Sequence, residues 1–242
     1  MLVPFLGSSG RTGTLIGTPA AQLSRIAGVS TATDFVRANT RLASVPFLPE
    51  LVLHQAEEPI ELWERTEAGG AEQPPPFWAF AWAGGQALAR HVLDDPELVA
   101  GRAVLDLATG SGLVAVAAAR AGARPVTAND IDPLSLAAAE ANAAANGVRV
   151  ELVEGDLLTT GFDEAAVVLA GDVFYSREMA GRVLPFLRRA AARGALVLVG
   201  DPGRAYLPIE GMVRRASYDV PVSEALESVP VRRTSVWQVL NC

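Results

Sequence analysis

One cysteine, Cys242, and two histidines, His54 and His91, are all that 242 residues offer of thiol or imidazole ligands. An internal disulfide is therefore excluded, a Cys/His zinc cluster cannot be assembled, and a histidine-based triad is poorly supported. Both histidines read as surface or helix-packing residues. Lysine is absent altogether: the 20 basic side chains are all arginine, a bias that GC-rich coding DNA is enough to explain. No uninterrupted apolar run approaches the roughly 18 residues of a membrane-spanning helix. Positive charge is in deficit too, with a net charge of −7 and a pI near 4.9. That balance disfavours nucleic acid or an anionic membrane as a partner held by a broad basic surface.

What the chain has is apolar mass. Half of it is apolar and 19% charged, enough for one large domain with a small appendage. Residues 1–33 are rich in Gly, Ser, Thr and Ala and hold no acid. They match a secretory signal poorly and an organellar transit peptide slightly better, and read as a loosely ordered extension; the expected compartment is the cytoplasm. Residues 34–76 read as an appendage. A helical turn from Asp34 to Leu42 precedes two alternating stretches, Glu50–His54 and Ile60–Glu64, expected to form a β-hairpin across an acidic connection ending in Pro59. A linker-like Gly69–Pro76 follows. Residues 77–242 are the main domain. It opens on Phe77-Trp-Ala-Phe-Ala-Trp-Ala-Gly-Gly85, where aromatics beside a glycine pair suit either core or a lid, and a helix is expected from about Gln86 to Leu93.

From residue 103 one unit repeats. Strands at about 103–107, 125–129, 149–153, 166–171 and 195–200 alternate with helices at about 112–121, 133–146 and 177–192. Asp132-Pro133 supplies an N-cap and a first-turn proline for the second helix. Short connections and near-continuous apolar strands such as Val167-Val-Leu-Ala170 imply a parallel sheet covered on both faces. Val213–Val220 and Val231–Leu240 read as two further strands around a short helix, Val222–Glu227, at one edge. The expected fold is α/β: a Rossmann-like, doubly wound, mostly parallel seven-stranded sheet with helices on both faces, an antiparallel edge strand, and an N-terminal hairpin.

The centre of this pattern is Val104-Leu-Asp-Leu-Ala-Thr-Gly-Ser-Gly112, a strand, a glycine-rich turn and the start of a helix. Glycines there let a ligand approach the backbone, and the helix aims its first amides at it. In an open parallel sheet ligands collect at the carboxyl ends of the strands. This chain puts an acid at nearly every such end: Asp106, Asp130, Asp156, Asp172 and Asp201. Two cofactors compete. Gly110-Ser-Gly112-Leu-Val-Ala115 satisfies the loose dinucleotide pattern, with Asp130 where a ribose-binding acid belongs. A carboxylate at Asp106, however, opposes a pyrophosphate and attracts the sulfonium and ammonium of S-adenosylmethionine. Asp156 suits an adenine amino group, with the Leu157 backbone as donor. The acidic rim therefore favours S-adenosylmethionine over NAD.

Asp106-Leu-Ala-Thr-Gly-Ser-Gly112, Asn129-Asp-Ile-Asp-Pro133, Glu154-Gly-Asp-Leu157 and Gly171-Asp-Val-Phe-Tyr175 resemble the motifs of seven-β-strand class I methyltransferases. Ala108 stands where that family's first motif glycine is usual. Pro76-Phe-Trp-Ala-Phe-Ala-Trp-Ala-Gly-Gly-Gln86, Gly171-Asp-Val-Phe-Tyr175, Gly200-Asp-Pro-Gly-Arg204 and Thr234-Ser-Val-Trp237 resemble more closely the electron transfer flavoprotein β-subunit lysine methyltransferases, from about residue 34 to 240. The resemblance implies the following roles. Asp106, Ala108, Gly110 and Gly112 hold the methionine portion, Asp130 the ribose with Asn129 shaping the turn, and Asp156 and Leu157 the adenine. Trp82 packs on the cofactor, Gly84 and Gly85 allow the approach, and Asp172 and Tyr175 receive the substrate amine beside the transferable methyl. It implies a lysine-bearing protein partner such as an electron transfer flavoprotein β-subunit. Bacterial relatives labelled as nicotinamide-type small-molecule N-methyltransferases leave that acceptor as the alternative, and an NAD-dependent oxidoreductase is more distant.

Overall fold

A computed structural model describes residues 32–58, 61–64, 75–223 and 229–241. The expected N-terminal extension, most of the linker and most of the Val222–Glu227 helix fall outside the described residues. A helix over 32–39 (α1) leads into an antiparallel hairpin of Arg41–Val45 (β1) and Leu48–Gln55 (β2), and 61–64 is helical (α2). The hairpin therefore sits earlier than the pattern implies. Its strands are joined by a two-residue turn at Pro46-Phe47, and the Ile60–Glu64 stretch is no strand: within the helical turn, Leu62 is buried among Val36, Trp78 and Ala79. The physical reason lies in β1, where only Val45 is buried. A strand whose other residues all face water leaves no alternation to read.

The rest is a seven-stranded sheet of Val104–Leu107 (β3), Val126–Asp130 (β4), Glu151–Glu154 (β5), Val167–Gly171 (β6), Leu196–Asp201 (β7), Met212–Pro221 (β8) and Val231–Val239 (β9), ordered β5-β4-β3-β6-β7-β9-β8. The β5-β4-β3-β6-β7 part is parallel, and β9 runs antiparallel to both its neighbours, so β8 is the outermost strand. The sheet's period of two divides the core. Val104, Val167, Leu169 and Leu198 face Ala83–Asp94 (α3) and Leu113–Arg120 (α4), whereas Leu105, Val168, Ala170 and Val199 meet Val183, Phe186 and Leu187 of Arg177–Ala192 (α7). Pro133–Ala145 (α5) begins as expected, with Asp132 accepting from the Leu134 N–H at 2.9 Å. From β3 the chain winds outward through β4 to β5, then returns to β6 and winds the other way. The strand order reverses between β3 and β6, and a crevice opens at their carboxyl ends.

The hairpin is fastened to this body by two asparagines one turn apart, Asn142 on α5 and Asn146 at its C-cap. Asn142 Oδ1 accepts from the His54 N–H at 2.7 Å; Asn146 accepts from the Val52 N–H at 3.1 Å and donates to the Val52 carbonyl. Asn142 is fully buried and donates from Nδ2 to the Ser111 carbonyl at 2.8 Å, linking the hairpin to the glycine-rich turn. Asn142→Ala strands both backbone groups. It is expected to lower stability by about 3 kcal/mol in denaturant titration and to speed amide exchange at His54.

Candidate active site

The loop after β3 is built around Asp106, which is 1% exposed. Its Oδ2 accepts from the Thr109 hydroxyl at 2.5 Å and from the Ala115 N–H in the first turn of α4 at 3.0 Å, so one carboxylate closes both ends of the turn. Burial pushes its pKa from 3.8 up to about 7, against those two hydrogen bonds. Gly112 takes φ +77°, and a Cβ there would lie 2.6 Å from Ala139 Cα, so α4 and α5 approach only because this residue is glycine. Ala108 is left-handed at φ +55°, a conformation that costs an L-residue roughly 1 kcal/mol.

Asp130 ends β4 and folds over the same turn. It accepts from the Gly110 N–H at 3.0 Å and the Asp132 N–H at 3.1 Å, and burial raises its pKa. Asn129, buried beside it, donates to the Val153 and Gly155 carbonyls and so shapes the ends of β4 and β5. Asp172 follows β6 at φ +57°, with its N–H on the Gly200 carbonyl at 2.9 Å. One carboxylate oxygen accepts from the Gly85 N–H in the first turn of α3 at 2.9 Å, and the other from Arg204 at 2.7 Å. Burial moves its pKa up to about 6, opposed by Arg204 and by the Gly85 amide. α3 can reach this position because no side chain intervenes: a Cβ on Gly84 would collide with the Gly200 carbonyl and lie 2.5 Å from Asp172 Oδ2.

These groups surround a cavity of about 340 Å³ lined by Trp82, Gly85, Asp106, Ala108, Gly110, Asp130, Asp172 and Tyr175 among others. Aromatic rings form its mouth. The Phe77 ring centroid lies 5.9 Å from that of Trp82 and 5.8 Å from that of Tyr175, and the Trp82 Nε1–H donates to the Phe77 carbonyl. Of the residues expected at the site, Gly84, Gly112 and Asn129 stand behind the lining, supporting the backbone. Asp156 and Leu157 are also outside it. Asp156 caps the short helix Leu157–Thr160 (α6) and is paired with Arg182, while the Leu157 side chain is in the core. The cavity adds Thr109, Ile131, Asp132 and Ser135, for which the sequence motifs carried no assigned role, and Arg204, the last residue of the Gly200–Arg204 motif. Asp132 is visible as the second acid of Asn-Asp-Ile-Asp; Arg204, which the Gly200–Arg204 motif offers equally as a contact for an acidic substrate surface or as a structural ion pair, is paired with Asp172.

Residues 87–173 match the family model of ribosomal protein L11 methyltransferase (PrmA). An electron transfer flavoprotein beta subunit lysine methyltransferase from Xenopus laevis is 34% identical over 210 residues, 84% of this chain and 85% of its own. The Danio rerio protein of that name is 34% identical over 216 residues, 86% and 83% of the two chains. A crystal structure from Thermoplasma acidophilum, 18% identical, matches with a TM-score of 0.51 over 65% of this chain and 88% of that one, a likeness of fold alone. A doubly wound sheet with an acid-lined crevice where its winding reverses, joined to these relatives, defines a class I methyltransferase. The chain belongs to the electron transfer flavoprotein beta subunit lysine methyltransferase family. Its cofactor is therefore S-adenosylmethionine, and neither a nicotinamide-type acceptor nor NAD chemistry is favoured.

The cavity fits that cofactor: buried carboxylates with raised pKa values are groups that a bound cation would return to the charged form. Because Asp106 and Asp172 are more easily protonated when folded, their contribution to stability is present at low pH and is lost as pH rises from about 4 through about 6 to 7. The melting-temperature increase given by S-adenosylmethionine is expected to grow over that same interval, and to grow less in Asp106→Asn, where only Asp172 of the two still titrates. Ala108→Gly should raise stability by about 1 kcal/mol, read as a shifted denaturant midpoint.

Proposed function

We propose that the protein transfers methyl groups from S-adenosylmethionine to lysine side chains of an electron transfer flavoprotein β-subunit, or of a similar protein. The observation that carries this reading is a carboxylate, Asp172, on a cavity whose mouth is ringed by Phe77, Trp82 and Tyr175. An aliphatic stem ending in a cation suits such an entrance. The substrates named for the relatives support a protein over a small amine. The compartment we propose is the cytoplasm, to be tested by fractionation; among the described residues no helix is long and apolar enough to cross a membrane.

In this reading Asp106 and the Ala108–Gly112 turn hold the methionine portion and Asp130 holds the ribose hydroxyls. Ile131, 70% exposed at the cavity edge, would offer the adenine an apolar surface. Asp156 and Leu157 can contribute to the adenine only from outside the lining. The bound cofactor supplies an electrophilic methyl on a sulfonium sulfur, already a good leaving group. The chain therefore has to align the acceptor nitrogen and exclude water. Asp172 draws in and orients the amine, Tyr175 and Phe77 shield its stem, and the ammonium proton leaves to water before the nitrogen attacks in line.

Incubation with labelled S-adenosylmethionine and purified electron transfer flavoprotein should place label on lysines of the β-subunit, with none on nicotinamide. Asp172→Ala should cut turnover by about a hundredfold or more yet retain the thermal shift from S-adenosylhomocysteine, whereas Asp106→Ala should lose that shift. An unlabelled β-subunit, or near-normal turnover in Asp172→Ala, overturns the reading.

A further inference from the structure

Arg204 is placed with unusual care for a loop residue. Asp201, buried at the end of β7, accepts from both the Gly203 and Arg204 N–H groups at 2.7 Å, which folds the chain back at once. The turn delivers the Arg204 guanidinium into the cavity lining. There it donates to Asp172 at 2.7 Å, and its Cζ lies 5.9 Å from the Trp82 ring centroid. Carboxylate, indole and an enclosing cavity wall are also what a lysine ammonium needs. One carboxylate oxygen of Asp172 is already taken by the amide of Gly85.

We propose that Arg204 is a resident stand-in for the acceptor: its guanidinium occupies the seat on Asp172 and Trp82 that the substrate ammonium takes, and the substrate enters by displacing it. This rests on the reading of Asp172 as the group that receives the amine. The arrangement keeps the buried carboxylate paired in the absence of substrate. Arginine suits the position and lysine does not. A guanidinium stays protonated at any working pH and so has no free electron pair to attack the methyl. A lysine in that seat could lose a proton and become the nucleophile. The chain holds no lysine anywhere, so a single introduced one is read without background.

The test is Arg204→Lys incubated with S-adenosylmethionine alone and weighed intact. The nitrogen at position 204, after giving a proton to water, forms its bond to the methyl carbon as the carbon–sulfur bond breaks and S-adenosylhomocysteine leaves. A mass gain of one or more methylene equivalents, mapped to position 204 by peptide analysis, is expected; the unsubstituted chain gains none at that position, and adding Asp172→Asn suppresses the gain. If Arg204→Lys still binds S-adenosylhomocysteine and still methylates an added protein acceptor while position 204 stays unmodified, the seat lies elsewhere and the proposal falls alone. If neither chain methylates any acceptor, the functional reading falls and takes the proposal with it. Arg204→Met gives a second measurement, at alkaline pH where Asp172 is ionised in either chain. Removing the competing cation should lower the acceptor KM about tenfold with kcat little changed. An unchanged or raised KM with a collapsed kcat would mean that Arg204 only holds Asp172 in place.

Discussion

Helix α3 meets the ends of β6 and β7 backbone to backbone, and the site depends on that contact. A Cβ on Gly171 would lie 2.9 Å from Gly85 Cα, and one on Gly200 would strike the backbone of Gly84. With all four positions reduced to glycine, the helix start comes close enough for its amide at Gly85 to reach the Asp172 carboxylate. The aromatic segment before α3 is carried along, which hangs Trp82 and Phe77 over the cavity. The Trp-Ala-Gly-Gly run thus works as a joint: its glycines admit the sheet, and its tryptophan lines the cavity.

The second constraint is electrostatic. Asp106, Asp130 and Asp172 converge on a crevice that desolvates all three, and each is harder to ionise there than in water. Backbone amides of Ala115, Gly110 and Gly85 offset part of that cost. These donors belong to α4, to the glycine-rich turn and to α3, so the carboxylates stitch the loops together around the cavity. The atoms that carry this structural duty are the ones we propose for the ligand.

Much of this was legible in the chain. The strands β3, β6 and β7 are largely apolar runs bounded by turn residues, and the acids at the strand ends follow from the winding. The hairpin was misplaced because β1 shows water four of its five residues, so nothing marks it as paired. The purpose of Gly84 was invisible for a different reason. Its partners, Gly200 and Asp172, lie about a hundred residues downstream, and a glycine pair looks the same whether a cofactor or a strand presses on it. Asp156 could not be distinguished from the other rim acids, since Arg182, which claims it, is 26 positions away. The same distance problem hides the partner of Arg204, since Asp172 lies 32 positions away.

The asparagine clasp on the hairpin has a bearing on how the molecule meets others. A two-stranded ribbon ordinarily leaves a row of bare amides and carbonyls on each flank, ready to template a foreign chain. Along β2 that flank is occupied by the side-chain amides of Asn142 and Asn146, which imitate a neighbouring strand at Val52 and His54. Runaway ladder growth is thereby blocked on that side by residues of the molecule's own helix, without recourse to charge or proline.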